Sequence, residues 1–465
     1  MILELSPVTG GAALLLQASA LLSLALLLLS RVSGRGRNRL IPGVYVTGLN
    51  GGKVPLSQAR QNFIHGCADL MLEGYQKTKG GLFYVPSPAG ERLMIPTKYL
   101  DELKNAANEE VDFTASFSEM FEGKYTTIGQ KWHLHPNVVK QSLNTSLGMV
   151  IPAAAAAESS DYFYATSHNR ANRADYARYW QPVRMADIFT QIISRASNRM
   201  LGGKALSRNR NWTDTSINFT TDTWLASQQL KRYPAWLRPI LQHVLPEMSR
   251  VRRHFTVARQ FICPIVQERS ESEKGTIKPL DLLQMLWDGA GPADQTPEFM
   301  AYTALAISFA AIRTSSSVPT HLLYDLCAQP EYIAPLREEI ESVLCEEGSL
   351  LTKTALSKLV KLDSLMKESQ RFNPLSLLTF GRVIRSDRIL HDGLVVPKDT
   401  IIGVPVHAIS QDADFYPSPS TFSPFRFVPS TPGEKTAGFV TTNASSSLSW
   451  GYGKHACSGR FFAAN

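Results

Sequence analysis

Cysteine is scarce in this chain. Five occur in 465 residues (Cys67, Cys263, Cys327, Cys345 and Cys457), an odd number with no Cys-x-x-Cys pair. That pattern excludes a disulfide framework or a zinc site as the organising device and fits a reducing, cytosol-facing setting. Internal repeats are absent too. The longest homopolymeric run, Ala153 to Ala157, reads as a helix segment, so neither a solenoid nor a low-complexity tract is encoded. Nor is there an RNA- or DNA-binding signature. Lys and Arg outnumber Asp and Glu by 48 to 40, a net charge of +8, but the basic residues are spread along the chain. The charge therefore points to anionic membrane lipid and an acidic protein partner, and not to nucleic acid.

Charge is missing altogether from residues 10–30, where Leu14 to Leu16 and Leu26 to Leu29 lie. At 1.5 Å per residue this run crosses a hydrocarbon core of roughly 30 Å. Glu4 is the only charge before it, whereas Arg31, Arg35, Arg37 and Arg39 follow. The asymmetry predicts a transmembrane anchor, with residues 1–9 lumenal and the rest cytosolic, in preference to a cleaved signal peptide. Residues 31–43, ending in Leu40-Ile41-Pro42-Gly43, read as a basic, proline-bearing hinge. In that topology the sequons at Asn144, Asn211, Asn218 and Asn443 stay unglycosylated.

Strand-like runs occur at Leu82 to Val85, Leu93 to Pro96, Arg382 to Arg385, Leu394 to Val396 and Thr400 to Val406. Pro86-Ser87-Pro88 reads as a turn, and His391-Asp392-Gly393 as the link between the 382–385 and 394–396 runs. Residues 137–266 read as mainly helical. Within them Ile217, Trp224, Leu225 and Leu230 form an apolar stripe expected in the core, and Trp236-Leu237-Arg238 has the mixture that suits a lipid interface. Thr296-Pro297-Glu298 opens a long helix that Pro319 is expected to interrupt. Asp363 is expected to cap a helix ending before Asn373-Pro374, in which Glu368 and Arg371 share a face. As a surface pair they would add only about a few tenths of a kcal/mol. His407 has no second ligand spaced with it, so a hydrogen-bonded structural histidine is expected there.

Chemistry concentrates near the C-terminus, in Trp450-Gly451-Tyr452-Gly453-Lys454-His455-Ala456-Cys457-Ser458-Gly459-Arg460. Gly451, Gly453 and Gly459 permit positive φ and close backbone approach. Lys454, His455 and Arg460 place positive charge near the sulfur, and a helix starting at Cys457 would aim N–H groups at it. All three influences lower a thiol pKa, as a metal ligand requires; the alternative is an inert cysteine beside a turn.

The loop resembles the haem-binding segment of the cytochrome P-450 superfamily of haem-thiolate monooxygenases, Phe-x-x-Gly-x-Arg/His-x-Cys-x-Gly. The resemblance implies that Cys457 is the axial iron ligand and that Gly453, His455 and Gly459 bind the cofactor, His455 at a haem propionate. Trp450 stands for the usual Phe and Ser458 for the common Pro. Ser308 to Ser316 resembles the distal oxygen-binding motif, in which Ala310 and Ala311 leave room for dioxygen and Thr314 handles oxygen and protons. Arg313 occupies the position of the usual acid, where it cannot shuttle a proton near neutral pH. By the bland reading, the Thr314 hydroxyl bonds back to its own helix. Glu368, Arg371 and Arg426 match a structural triad, and Arg382 a propionate contact. The implied fold is α+β, predominantly helical, one haem domain over 44–465 with part of its C-terminus missing. A stub bearing exposed Phe461 and Phe462 would then end the chain. The implied activity is monooxygenation of an apolar small molecule, a terpenoid or related fungal secondary metabolite. It would use haem b and take electrons from NADPH through a flavoprotein reductase at the endoplasmic reticulum membrane. A reductase-independent haem-thiolate isomerase or dehydratase, or an inactive remnant, are the alternatives.

Overall fold

β-Branched and aromatic runs from both ends of the chain converge on one mixed sheet in the computed structural model, which describes residues 40–88, 90–130, 133–149, 182–271, 278–348, 352–431 and 438–465. The expected anchor and the Ala153 to Ala157 run lie outside them. Among the described residues no helix is long and apolar enough to cross a membrane. The strands are β1 (Tyr45–Val46), β2 (Phe83–Ser87), β3 (Gly90–Met94), β4 (Val111–Asp112), β5 (Thr379–Ile384), β6 (Arg388–Ile389), β7 (Val395–Val396) and β8 (Ile401–Val404). Six form a sheet in the order β1-β2-β3-β8-β5-β4, and β6 and β7 pair separately. Leu93 lies opposite Tyr84 on one side and Ile402 on the other, so this sheet joins sequence about 300 residues apart.

Three local expectations are corrected. Pro86 and Ser87 continue β2, because they pair with Glu91 and Gly90. The His391-Asp392-Gly393 link joins β6 to β7, while the 382–384 segment pairs with β8 and β4. The run to Val406 leaves the sheet after Val404 and becomes a helix at Val406–Ser410; Pro405 has no N–H with which to extend the ladder.

The helices that matter for the site are α1 (Leu56–Lys77), α2 (Phe113–Met120), α3 (Met185–Gly202), α4 (Arg210–Lys231), α5 (Pro246–Glu271), α6 (Leu282–Gly289), α7 (Pro297–Ala328), α8 (Ile333–Glu346), α9 (Val360–Phe372) and α10 (Arg460–Ala464). Helix α7 runs through the helical core, where its Met300, Ala304 and Leu305 join Trp212 and Phe219 of α4 and Ile262 of α5. Trp212 is fully buried because its indole N–H has an acceptor, Asn198 Oδ1 at 2.7 Å. The apolar stripe divides: Ile217 and Leu230 are core, but Trp224 and Leu225 are 46% and 43% exposed. The buried face of α4 is set by Trp212, Phe219, Thr223, Ala226 and Leu230, and at 100° per residue Trp224 and Leu225 fall well off it.

Thr296 caps α7 as expected, its hydroxyl accepting from the Phe299 N–H at 3.2 Å. Pro319 does not interrupt this helix, which continues to Ala328. Its missing N–H deprives one carbonyl, that of Ser315, of its donor, while tertiary contacts hold both flanking segments. Helix α9 opens at Val360, so Asp363 is no cap; its carboxylate instead accepts the Phe439 N–H at 2.9 Å. Phe461 is 37% exposed, but Phe462 packs against the helical core and is not the exposed side chain expected.

Candidate functional site

The Cys loop is pinned to the sheet-side core. Leu448 is buried in the sheet-side core and Tyr452 packs against it, while the Trp450 indole donates to the Phe439 carbonyl at 2.7 Å. The Cys457 N–H then returns to the Trp450 carbonyl at 2.8 Å, closing the loop. Gly453 has φ 74°, and its neighbour Lys454 donates its N–H to the Lys104 carbonyl at 3.3 Å. The Lys454 ammonium lies on the Ala106 carbonyl. His455 stacks on Phe113 with centroids 4.8 Å apart, and its Nε2 is 3.2 Å from Asn108 Oδ1. Burial, aided by the charges of Arg382 and Lys454, pushes its pKa down to about 4, so the ring is neutral at physiological pH.

Two expectations about the cysteine change. The helix begins at Arg460 and not at Cys457, and Gly459 has φ −88°, an ordinary conformation in which a Cβ would meet no atom within 4 Å. Gly459 therefore serves through open space and through its N–H, which together with that of Arg460 favours the Cys457 thiolate. The thiol pKa is raised, because burial outweighs these N–H groups and the Arg460 charge. Cys457 is nonetheless exposed, since it opens onto a cavity whose walls surround it.

That cavity, about 1330 Å³, lies between the Cys loop and α7. Ile307, Ala310, Ala311, Thr314 and Val318 recur at helical spacing along its α7 wall. The Thr314 hydroxyl donates to the Ala310 carbonyl at 2.6 Å, the bland arrangement, while still facing the cavity. Arg313 is exposed and is not among the lining residues. The lining includes Lys104, Lys140, Lys454 and Arg460 and no carboxylate side chain. Arg382, 3% exposed, stands behind His455, with its guanidinium over the rings of Phe380 and Phe113 and one hydrogen bond to the Gly381 carbonyl. No carboxylate pairs with it among the described residues; Asp112 nearby is taken by Arg385.

Glu368 and Arg371 form no surface pair. Glu368 is fully buried and bound in fork geometry by Arg371 at 2.9 Å, with Arg426 Nε 3.1 Å from both carboxylate oxygens. The Ser423 N–H adds a further bond at 2.9 Å. His407 has no metal partners, and among the described residues no cluster of His, Cys, Asp and Glu could hold an ion. Its Nδ1 is buried without a hydrogen bond, contrary to expectation.

The family model described as cytochrome P-450 matches residues 99–465. The chain belongs to the cytochrome P-450 family. It is 36% identical over 411 residues to a cytochrome P-450 monooxygenase of Emericella nidulans, covering 87% of this chain and 76% of that one. To one of Penicillium canescens it is 37% identical over 402 residues, 85% and 74% of the two chains. An ent-kaurene oxidase of Gibberella fujikuroi is 32% identical over 413 residues, 87% and 80%. This cytochrome P-450 is thus a monooxygenase, an oxidoreductase of the kind found in fungal secondary metabolism, and that displaces the isomerase alternative. Its cavity fits the haem that the family implies: an exposed cysteine sulfur for the iron, and a wall with cations and no acidic side chain for a ring bearing two carboxylates. Lys104, Asn108 and Phe113, which hold His455 and Gly453, are not marked by any motif in the sequence. They lie about 340 residues from the loop, and the only local signal is Asp112, the cap of α2.

Proposed function

We propose that Cys457 would hold the iron of haem b and that the enzyme oxidises an apolar small molecule, a terpenoid or related secondary metabolite, in a fungal biosynthetic pathway. The observation that carries this reading is Cys457, exposed on the wall of a large cavity opposite α7. A relative named for oxidising ent-kaurene supports the terpenoid class. When bound, haem supplies the activation of dioxygen; the chain supplies ligation, orientation and protons.

Each residue then has a distinct task. His455, at the cavity wall, would receive a haem carboxylate, with the buried Arg382 guanidinium behind it and outside the lining adding positive charge, and Gly453 brings the loop against Lys104. Ala310 and Ala311, small residues on the α7 wall of the cavity, would leave space for dioxygen. The Thr314 hydroxyl donates its hydrogen bond to the Ala310 carbonyl, which leaves the hydroxyl oxygen as an acceptor that orients a proton donor in the cavity. Arg313, outside the lining, takes no part. Glu368, Arg371 and Arg426 hold the proximal side rigid. Electrons come from NADPH through a flavoprotein reductase, and residues 10–30 anchor the 44–465 domain to the cytosolic face of the endoplasmic reticulum. Cys457→Ser should abolish the haem-thiolate absorption band while Cys327→Ser, at an exposed site, leaves it intact. Equal loss in both variants would sink the assignment.

A further inference from the structure

Residues Val139–Leu143 form a single π-turn, closed by the Asn144 N–H donating to the Val139 carbonyl five residues back. A π-turn accommodates one residue more than an α-turn, so the side chains after it are rotated by about 100° from their α-helical positions. Val139, Lys140 and Leu143 line the cavity, and Asn144 reaches the Cys loop. Its Nδ2 donates to the Ser458 carbonyl at 3.0 Å, across 314 residues of sequence. The same amide's Oδ1 is buried and accepts no hydrogen bond. The amide is therefore committed to that carbonyl alone.

The consequence follows from the planarity of the peptide group. The Ser458 carbonyl and the Gly459 N–H belong to one trans peptide unit and point in opposite directions. Holding the carbonyl sets the plane, and the plane aims the N–H, which is one of the two backbone groups that favour the Cys457 thiolate. The preceding carbonyl, of Cys457 itself, is held from the other side by Arg460 Nη1 at 2.9 Å. We propose that Asn144 is a positioning residue for the sulfur ligand: by holding the Ser458 carbonyl it directs the Gly459 N–H onto the sulfur and limits how strongly that sulfur donates electrons to the iron. This rests on Cys457 being the ligand. A side chain on a different element thereby tunes the ligand, through a peptide plane and without touching the metal.

Asn144→Asp keeps shape and volume but replaces the donor with an acceptor, and Asn144→Leu removes both. In the full-length holoprotein, both variants should shift the haem reduction potential to more negative values, because a hydrogen bond to the sulfur has been weakened. Transfer of haem to an acceptor apoprotein should indicate affinity lowered about tenfold. The potential is read only on the haem-bound fraction, so partial misfolding does not mask the result. If both variants keep the wild-type potential, or lose haem and thermal stability together with the potential unmoved, Asn144 is only structural and the proposal falls. If Cys457→Ser keeps the thiolate spectrum, the ligand assignment itself has failed, which is a separate outcome.

Discussion

At Gly453 a Cβ would stand 2.5 Å from Lys104 Cβ and 2.6 Å from the Lys104 carbonyl oxygen, on a backbone already at φ 74°. Further along the loop, Gly459 has neither constraint. Gly453→Ala should therefore cost about 1–3 kcal/mol and loosen the loop, whereas Gly459→Ala should stay within about 0.5 kcal/mol in denaturant unfolding. The motif marks both glycines alike; only the backbone angles and the approach of Lys104 separate them. Glu368 is the other residue whose setting overrides its local pattern. With Arg371 and Arg426 both turned on it, Glu368→Gln should lower unfolding free energy by about 3–5 kcal/mol, because two buried or half-buried guanidinium groups lose their counter-charge. A loss below about 1 kcal/mol in urea titrations would mean that the carbonyls of Ser410 and Pro419 suffice for Arg371.

Helix α7 shows which element features are local. Its start was legible because a cap, a proline at the first helical position and an acidic residue act within one turn. Thr296→Ala should destabilise by about 1 kcal/mol, measured by thermal unfolding, without altering the haem spectrum, since the cap lies well before the cavity-lining stretch. Its continuity through Pro319 was not legible. A proline in a helix interior costs about 3 kcal/mol when the segment must stand alone, but α7 is packed on both sides of the proline, by Phe309 in the helical core before it and by Asp325 holding Ser369 after it.

The molecule as a whole is built by pairing early sequence with late. Residues 83–94 share a sheet with 379–404, and residues 104–113 hold the loop at 450–457. The same closure bears on topology. Asn144 sits in a sequon, yet its amide is engaged by Ser458; Asn211 and Asn218 are exposed on α4. Full-length protein expressed in a eukaryotic membrane system should show no glycosidase-sensitive mass at Asn211 or Asn218. A shift at either would place the domain in the lumen and overturn the proposed orientation.

Sequence alone determined what is carried by residue type at short spacing: the family, the ligand cysteine's loop, the helix caps and the mainly helical character. Each of these depends on contacts within about one turn or on a motif a few residues long. Tertiary structure decided what depends on burial and on distant partners. It raised the Cys457 thiol pKa, which the neighbouring positive charges alone would have lowered, because desolvation depends on how much protein surrounds the sulfur. It turned Glu368 and Arg371 from a helix-surface pair into a buried triad, put Arg313 outside the cavity, and brought Asn144 to Ser458. Spacing along a chain says which side chains share a face. What that face meets is settled only when distant segments pack against it.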